Sequence, residues 1–224
     1  PRETVNKSSF PRTKPCSVTT ANAKRAGVLR WLRALPSVPD VICLQETHCT
    51  SLAEGQTWFL SSGFECSVSP GTARSAGCIV LFCPLLSLEA SWTDFDGRFL
   101  RLHFSFLAVH FRVACLCAPN RNPERDLFLA HVTDNRDPGT PTLLASDSNT
   151  VFKRSLDRCG SVVVDTSRES SAALAWLFKE ACCEDIWRYL YLFSMSIFRL
   201  LCFSIFCICP RCYPPWSRSM EAKC

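Results

Sequence analysis

Three groups of polar side chains in the 224-residue chain could do chemistry, because each group follows an apolar run. They are Gln45-Glu46-Thr47-His48, Ala118-Pro119-Asn120 and Asp147-Ser148-Asn149. Carboxylates and amides at strand ends commonly form sites, because the strand fixes the backbone while its end stays open to a ligand. Each group taken alone fits an ordinary strand-to-loop junction better than a site, because Asn or Asp at such a junction binds the amides of a turn.

Taken together, the groups indicate a site for a hard cation. Glu46 and Asp147 would supply carboxylate oxygens, while Asn120 and Asn149 would supply neutral donors for a phosphoryl oxygen. Mg²⁺ prefers one or two carboxylates together with waters and a substrate phosphate, whereas zinc prefers nitrogen and sulfur ligands. The residue types therefore predict a Mg²⁺ site, with Mn²⁺ as the alternative ion.

Alternating strands and helices are needed to position these side chains. Short apolar runs predict strands, and apolar residues three to four positions apart predict helices. The first predicted helix follows a possible cap at Asn22. The predicted strands are Val41–Gln45, Phe64–Val68, Cys78–Cys83, Phe99–Phe106, Phe111–Cys117 and Thr142–Ala145; the predicted helices are Lys24–Leu35, Asn122–Val132 and Ser170–Cys183. Several strands in succession before a helix favour a layered α/β protein.

Composition narrows the class of protein without selecting a function. A hydrophobic content of 47% is ample for a sizeable core, and a net charge of +5 is too low for a dedicated DNA-coating protein. The sixteen cysteines are scattered, many within apolar runs, where cysteine behaves as a small hydrophobic residue. This pattern favours a reduced intracellular protein over a disulfide framework.

A set of motifs occurs in the order of a known superfamily. The set comprises residues 40–48 (DVICLQETH), 77–82 (GCIVLF), Asp96-Gly97-Arg98, Ala118-Pro119-Asn120, 143–151 and Leu156-Asp157-Arg158. It resembles the endonuclease/exonuclease/phosphatase superfamily, and most of all the apurinic-type endonuclease domain of non-LTR (LINE-like) retrotransposons. The resemblance covers roughly residues 16–188 and implies an α/β fold, the four-layered α/β sandwich of DNase I-like proteins.

The resemblance also implies roles for individual residues. Glu46 resembles the Mg²⁺ ligand, Asp147 resembles the carboxylate that orients the attacking water, and Asn120 and Asn149 resemble the amides that hold the scissile phosphate. The implied activity is metal-dependent cleavage of DNA, of the exodeoxyribonuclease III type. The implied partner is DNA without a small-molecule cofactor, and the implied location is intracellular, in the nucleus.

The chain departs from the family pattern at several positions. Cys117 stands where a Tyr usually precedes Ala-Pro-Asn, and Ser146 and Ser148 replace the family's Gly and Phe. The family ends its site with a histidine, but no histidine follows His131 in this chain. We therefore expect a fold that lacks its last strands. The alternative function is a catalytically inactive remnant with at most weak nucleic-acid binding.

The two ends of the chain differ from the region between them. Residues 1–15 are polar, basic and rich in proline, which predicts a disordered lead-in. Residues 189–224 form a divergent, hydrophobic and Cys-rich tail, and residues 189–209 are long enough to cross a bilayer. Two interpretations of this segment remain open, a membrane anchor and sequence read past a frameshift or splice junction. The sequence makes no prediction of oligomeric state.

Overall fold

The computed structural model describes residues 17–22, 38–60, 62–94, 96–134, 139–150, 168–180, 183–185 and 204–208. These residues form strands and helices, numbered here in chain order. The strands are β1 (Val18–Asn22), β2 (Val41–Gln45), β3 (Glu65–Ser69), β4 (Cys78–Phe82), β5 (Ser87–Thr93), β6 (Phe99–Phe106), β7 (Val109–Cys117), β8 (Thr142–Asp147), β9 (Cys183–Asp185) and β10 (Ser204–Ile208). The helices are α1 (Leu52–Phe59), α2 (Asn122–Asp134) and α3 (Arg168–Glu180).

The strands form two sheets that pack face to face. One sheet has four strands in the order β1-β2-β4-β3, and the other has six in the order β5-β6-β7-β8-β10-β9. The β1–β2 and β7–β8 pairs are parallel, and the other pairs are antiparallel. The inner faces enclose a core to which β2 and β4 contribute Val41 and Val80, and β6 and β7 contribute Leu102 and Val113.

Helices cover the outer face of each sheet. Phe59 of α1 packs with Ile42 and Ile79 on the four-stranded sheet. Leu129 of α2 and Leu177 of α3 pack on the outer face of the six-stranded sheet. The layer order is thus helix, sheet, sheet, helix, which confirms the predicted four-layered α/β sandwich.

The predicted elements agree with the structure to different degrees. β2 and β6 have the predicted bounds, whereas β3, β4, β7, β8, α2 and α3 begin or end a few residues from them. The structure adds α1, β1, β5, β9 and β10, for which we predicted no element. The predicted helix Lys24–Leu35, the lead-in and Leu156-Asp157-Arg158 lie outside the described residues.

Helix α1 begins at a variant of the capping box, in which the carboxylate binds the residue before the N-cap. The Ser51 hydroxyl accepts a hydrogen bond from the Glu54 backbone N–H at 3.1 Å. In return Glu54 Oε2 accepts one from the Thr50 N–H at 2.7 Å. The spacing Ser-x-x-Glu could therefore have predicted this helix start.

Strand β10 comes from the tail segment. It pairs with β8 in the register Ser204↔Ser146 to Ile208↔Thr142, and its other edge pairs with β9. The six-stranded sheet thus includes a strand beyond residue 188, where we expected the domain to end. The rest of the tail lies outside the described residues, so the domain boundary stays a prediction.

None of the helices in the described ranges is both long enough and apolar enough to cross a membrane.

Candidate active site

The parallel pairing of β7 with β8 brings two of the predicted groups together. Cys117 and Asp147, the last residues of these strands, are register partners. The Ala118 N–H extends the pairing by donating to the Asp147 carbonyl at 2.8 Å. The groups Ala118-Pro119-Asn120 and Asp147-Ser148-Asn149 therefore leave the same edge of the sheet side by side.

Glu46 reaches this edge from the other sheet. The Cys117 thiol donates a hydrogen bond to Glu46 Oε1 at 2.9 Å. Gln45, which precedes Glu46, is fully buried, and its amide Nε2 donates to the Ala145 carbonyl of β8 at 3.4 Å. These contacts hold the end of β2 against the ends of β7 and β8. The structure thus places all three predicted groups in one region.

The Asn149 side chain is held in place by the neighbouring backbone. Its amide Nδ2 donates to the Ala118 carbonyl at 2.7 Å, and its backbone N–H donates to Asp147 Oδ1 at 3.2 Å. Ser148 is buried and donates its hydroxyl to the Thr150 carbonyl at 2.9 Å. An amide has two N–H donors, so Asn149 keeps one that this backbone contact does not use.

The site contains backbone that non-glycine residues rarely adopt. Glu46, His48 and Asn149 have φ values of 51°, 56° and 47°, in the left-handed region. Such residues each cost about 1–3 kcal/mol and persist where the surroundings hold them. Here the His48 N–H donates to the Ala76 carbonyl at 3.0 Å. Backbone strain at three site residues is consistent with selection for position rather than for stability.

Two glycine turns support the loop after Glu46. Gly77 has a φ of +92°, and a Cβ added there would lie 2.6 Å from Thr47 Oγ1. The Gly77 carbonyl accepts from the Thr47 N–H at 3.1 Å, and the Gly77 N–H donates to the Gly97 carbonyl at 2.9 Å. The motifs GCIVLF and Asp-Gly-Arg are therefore parts of the support beneath Glu46.

Arg125 is a residue of the site that we did not predict. It lies on α2 with 2% of its surface exposed, and burial lowers the pKa of its guanidinium. Its Nη1 donates to the carbonyls of Asn120 at 3.0 Å and of Asn149 at 2.8 Å. Arg125 thus fixes the backbone of both asparagines. The sequence feature that could have identified Arg125 is an arginine in the first turn of the helix that follows Ala-Pro-Asn.

Cys117 is a further residue of the site that we did not predict, and His48 belongs to the first predicted group, although we assigned it no role. Burial raises the pKa of the Cys117 thiol far above its ordinary value of 9.0, and the hydrogen bond to Glu46 and the charges of Glu46 and Asp147 add to this effect. The thiol therefore stays protonated and donates a hydrogen bond to Glu46. On the other side of the carboxylate, His48 Nε2 lies 3.2 Å from Glu46 Oε2.

Asn22 lies where the sheet could bring it to the site. It is the last residue of β1 and the register partner of Gln45, the residue before Glu46. We expected Asn22 to cap a helix, but the following residues lie outside the described ranges. Because it ends a strand next to β2, Asn22 is a candidate residue of the site. Its position in the sequence, just before the predicted helix, had favoured a helix cap instead.

The donor set fits a hard divalent cation. Glu46 contacts the Cys117 thiol at 2.9 Å, and Asp147 is the register partner of Cys117, so both carboxylates belong to residues next to Cys117. A carboxylate oxygen has about two acceptor positions, so the contacts with Cys117 and His48 leave Glu46 able to bind a cation. Oxygen ligands of this kind suit Mg²⁺ or Mn²⁺.

No protein-family model and no curated protein matches the chain. Solved structures do match. An AP endonuclease from Archaeoglobus fulgidus superposes with a TM-score of 0.68 at 14% identity, over 87% of this chain and 87% of that chain. The Xenopus laevis APE2 catalytic domain gives a TM-score of 0.64 at 15% identity, over 85% and 81% of the two chains. Caenorhabditis elegans TDP2 gives 0.54 at 14% identity, over 83% of this chain and 58% of that chain. At these identities the comparisons show that the chain shares their fold.

Proposed function

We propose that this chain is a divalent-metal-dependent phosphodiesterase of the endonuclease/exonuclease/phosphatase superfamily that cleaves DNA. The observation that carries the proposal is the meeting of Glu46 with the register partners Cys117 and Asp147, through the 2.9 Å contact of Cys117 with Glu46. This meeting occurs on a fold shared with two proteins whose names state AP endonuclease or APE2 catalytic domain. The order of the motifs further favours an endonuclease domain of the non-LTR retrotransposon type.

Each site residue has a role in this proposal that its surroundings support. Glu46 would hold the cation, which when bound supplies positive charge to the phosphate oxygens. Asp147 is buried and fixed at the end of β8, where it would orient the attacking water. Asn149 would direct its remaining N–H to the phosphate, and Asn120 would do so from the neighbouring loop. Fixed donors of this type stabilise developing charge without reorganisation during the reaction.

The substrate also indicates where the protein would act. An enzyme that cuts chromosomal DNA must reach it inside the cell, so we propose an intracellular and nuclear location. The net charge of +5 would assist contact with the DNA backbone. Mg²⁺ is proposed as the physiological ion, and Mn²⁺ as a substitute that accepts the same oxygen ligands.

A plasmid-nicking assay tests the proposal. The full chain should convert supercoiled plasmid to the open circle in Mg²⁺ and should stop when EDTA is added. Glu46→Gln and Asp147→Asn keep the side-chain shapes but remove the charges, and each should slow nicking by roughly 10²-fold or more. Nicking by the wild-type chain at the level of Glu46→Gln would overturn the proposal.

A second candidate is an inactive remnant that binds nucleic acid weakly. The observation that favours it is the position of the histidines. The sequence has His48, His103, His110 and His131, and none of them occupies the family's closing position. Fluorescence anisotropy with a labelled duplex separates the two candidates, because a remnant would bind in Mg²⁺ without nicking.

Membrane association through residues 189–209 is a further alternative. Five residues of this segment, Ser204–Ile208, form β10 in the six-stranded sheet. Fractionation of cells that express the chain with and without residues 189–209 tests this alternative. A full-length chain in the membrane pellet that moves to the supernatant after the deletion would support it.

A further inference from the structure

We propose that Glu89, His103 and His110 form a second cation site, separate from Glu46, that binds Zn²⁺. Each of these residues offers one ligand atom, and the three atoms lie within 4.8 Å of one another. The residues belong to β5, β6 and β7, at one side of the six-stranded sheet. The proposal does not depend on the proposed nuclease function.

The sheet places the three side chains on one face. His103 is opposite Arg112 and His110 is opposite Ser105, so the two histidines are diagonal neighbours on adjacent strands. The β5–β6 register shifts between Leu88 and Ala90, which makes Glu89 the extra residue of a β-bulge. Bulges redirect a side chain, and this one directs Glu89 toward the two imidazoles.

The distances are close to those of a metal site. Glu89 Oε2 lies 3.2 Å from His110 Nδ1 and 3.6 Å from His103 Nε2. Ligands that lie about 2.0–2.1 Å from Zn²⁺ in a tetrahedral site are about 3.3–3.4 Å from one another. Small side-chain movements would therefore let all three atoms contact one ion.

The His103 ring supplies an independent observation. Its Nε2 is buried, and at 3.6 Å from Glu89 Oε2 it is too far for a hydrogen bond and has no other hydrogen-bond partner within the described part of the chain. Burying such a nitrogen without a partner is unfavourable, and a bound cation would satisfy it. The His110 side chain is 57% exposed, so an ion can enter from solvent and keep a water as its fourth ligand.

The ligand types select the class of cation. Two imidazoles with one carboxylate suit Zn²⁺, whereas Mg²⁺ requires oxygen ligands. His110 lies near the start of β7 and Cys117 at its end, so at about 3.3 Å per residue the two sites are about 23 Å apart. A bound ion would join the edge strand β5 to both β6 and β7, which would stabilise an edge strand that pairs with β6 in the sheet.

The same residues could instead form a plain ion-pair cluster. A hydrogen bond with Ser105, followed by the hydrogen bond with His110 and the charges of both histidines, lowers the pKa of Glu89. The two interpretations differ in whether Zn²⁺ protects His110 from chemical modification. Because the sixteen cysteines can also bind Zn²⁺, the measurement must report on individual histidines.

Chemical modification by diethyl pyrocarbonate, read by peptide mass spectrometry, meets this requirement. We expect micromolar Zn²⁺ to slow the modification of His110 by about tenfold, as for a site that is nine-tenths occupied. The exposed His131 on α2 is the control within the same molecule and should react at an unchanged rate. Glu46→Gln should keep the protection of His110, whereas Glu89→Gln should lose it.

Three results would overturn the proposal. They are equal modification of His110 with and without Zn²⁺, protection that survives in Glu89→Gln, and equal protection by Mg²⁺ alone. Glu89 has an exposed side chain and Gln has the same shape, so this variant should fold as the wild type does. The nuclease assay is not a readout here, so a failure of this proposal does not affect the other.

Discussion

The Cys117 thiol of the six-stranded sheet donates a hydrogen bond to Glu46 Oε1 of the four-stranded sheet, at 2.9 Å. This bond links the two sheets at the proposed active site, although the residues are 71 positions apart in sequence. It requires a protonated thiol next to a charged carboxylate. The elevated thiol pKa satisfies this requirement and has consequences for stability at alkaline pH.

We expect the chain to lose stability as the pH rises above about 9, the ordinary pKa of a thiol. Burial raises the pKa of Cys115 and Cys117, and a hydrogen bond with Cys115, followed by burial, raises that of Cys43. Above the ordinary pKa the unfolded chain releases these protons while the folded chain keeps them. The stabilisation is therefore complete below about pH 9 and lost above it, by roughly 1 kcal/mol per thiol for each pH unit.

Urea denaturation at a series of pH values measures this loss. Cys117→Ser removes one titrating thiol but keeps a hydrogen-bond donor, so its stability should fall less steeply than that of the wild type. Lysine and tyrosine titrate equally in both chains and cancel in the comparison. Identical slopes would show that Cys117 has an ordinary pKa in the folded chain.

Arg125→Met should destabilise the chain by about 2–4 kcal/mol, because two part-buried carbonyls lose a charged hydrogen-bond donor. These are the carbonyls of Asn120 and Asn149, so the loops that carry both asparagines should move. The nicking rate should fall by more than the loss of folded protein explains. Displacement of a site residue by about 1 Å can lower a rate by about 10²-fold. Thermal unfolding and the nicking rate measured well below the melting temperature separate the two effects.

Arg121→Met is the matched control for stability. Its side chain is 83% exposed and lies at the long distance of 3.7 Å from Glu124. Exposed ion pairs of this kind contribute about 0–1 kcal/mol, so its unfolding should resemble the wild type. Similar losses of stability in both variants would contradict a stabilising role for the hydrogen bonds of Arg125.

Gly77→Ala should be more damaging than Gly63→Ala. Both glycines have positive φ, +92° and +79°, but a Cβ at Gly77 would lie 2.6 Å from Thr47 Oγ1 while one at Gly63 would have nothing within 4 Å. Gly63→Ala should therefore cost about 1–2 kcal/mol from backbone strain alone. Gly77→Ala should cost about 1–3 kcal/mol more from overpacking, and should displace the loop after Glu46.

Equilibrium unfolding of the two variants gives this difference directly. Residual Mg²⁺-dependent nicking by the folded fraction then reports on the loop. If Gly63→Ala and Gly77→Ala proved equally stable, the contact with Thr47 would have no energetic role.

Arg121→Gln should weaken DNA binding by a similar factor for all sequences. Arg121 follows Asn120 on the rim of the proposed site, and its exposed guanidinium can contact a backbone phosphate. Loss of one phosphate contact reduces the slope of log K against log salt concentration by about 1. Anisotropy titrations at several salt concentrations measure this slope.

Lys179→Gln on α3 is the charge-matched control, because it removes one positive charge outside the loops of the site. It should leave the salt slope almost unchanged. Equal slopes for the wild type and Arg121→Gln would remove this arginine from the DNA-contacting surface.

The sequence predicted the elements whose local pattern was unambiguous. The buried run of β2 and the alternation of β6 gave both strands their correct bounds. β5 was missed because it is an edge strand whose residues are mostly exposed, so it shows little apolar pattern. β10 was missed because its apolar run also fitted a membrane span, and periodicity does not separate these cases.

By itself the sequence determined which side chains were available for chemistry and that each follows an apolar strand. Only the tertiary structure decided which of them meet. Three relationships join residues from different strands. They are the parallel register of Cys117 with Asp147, the contact of Cys117 with Glu46, and the bulge that turns Glu89 toward two histidines. The reason is physical: local patterns reflect the burial and backbone preferences of neighbouring residues, whereas strand register and sheet packing depend on backbone hydrogen bonds and contacts between distant segments.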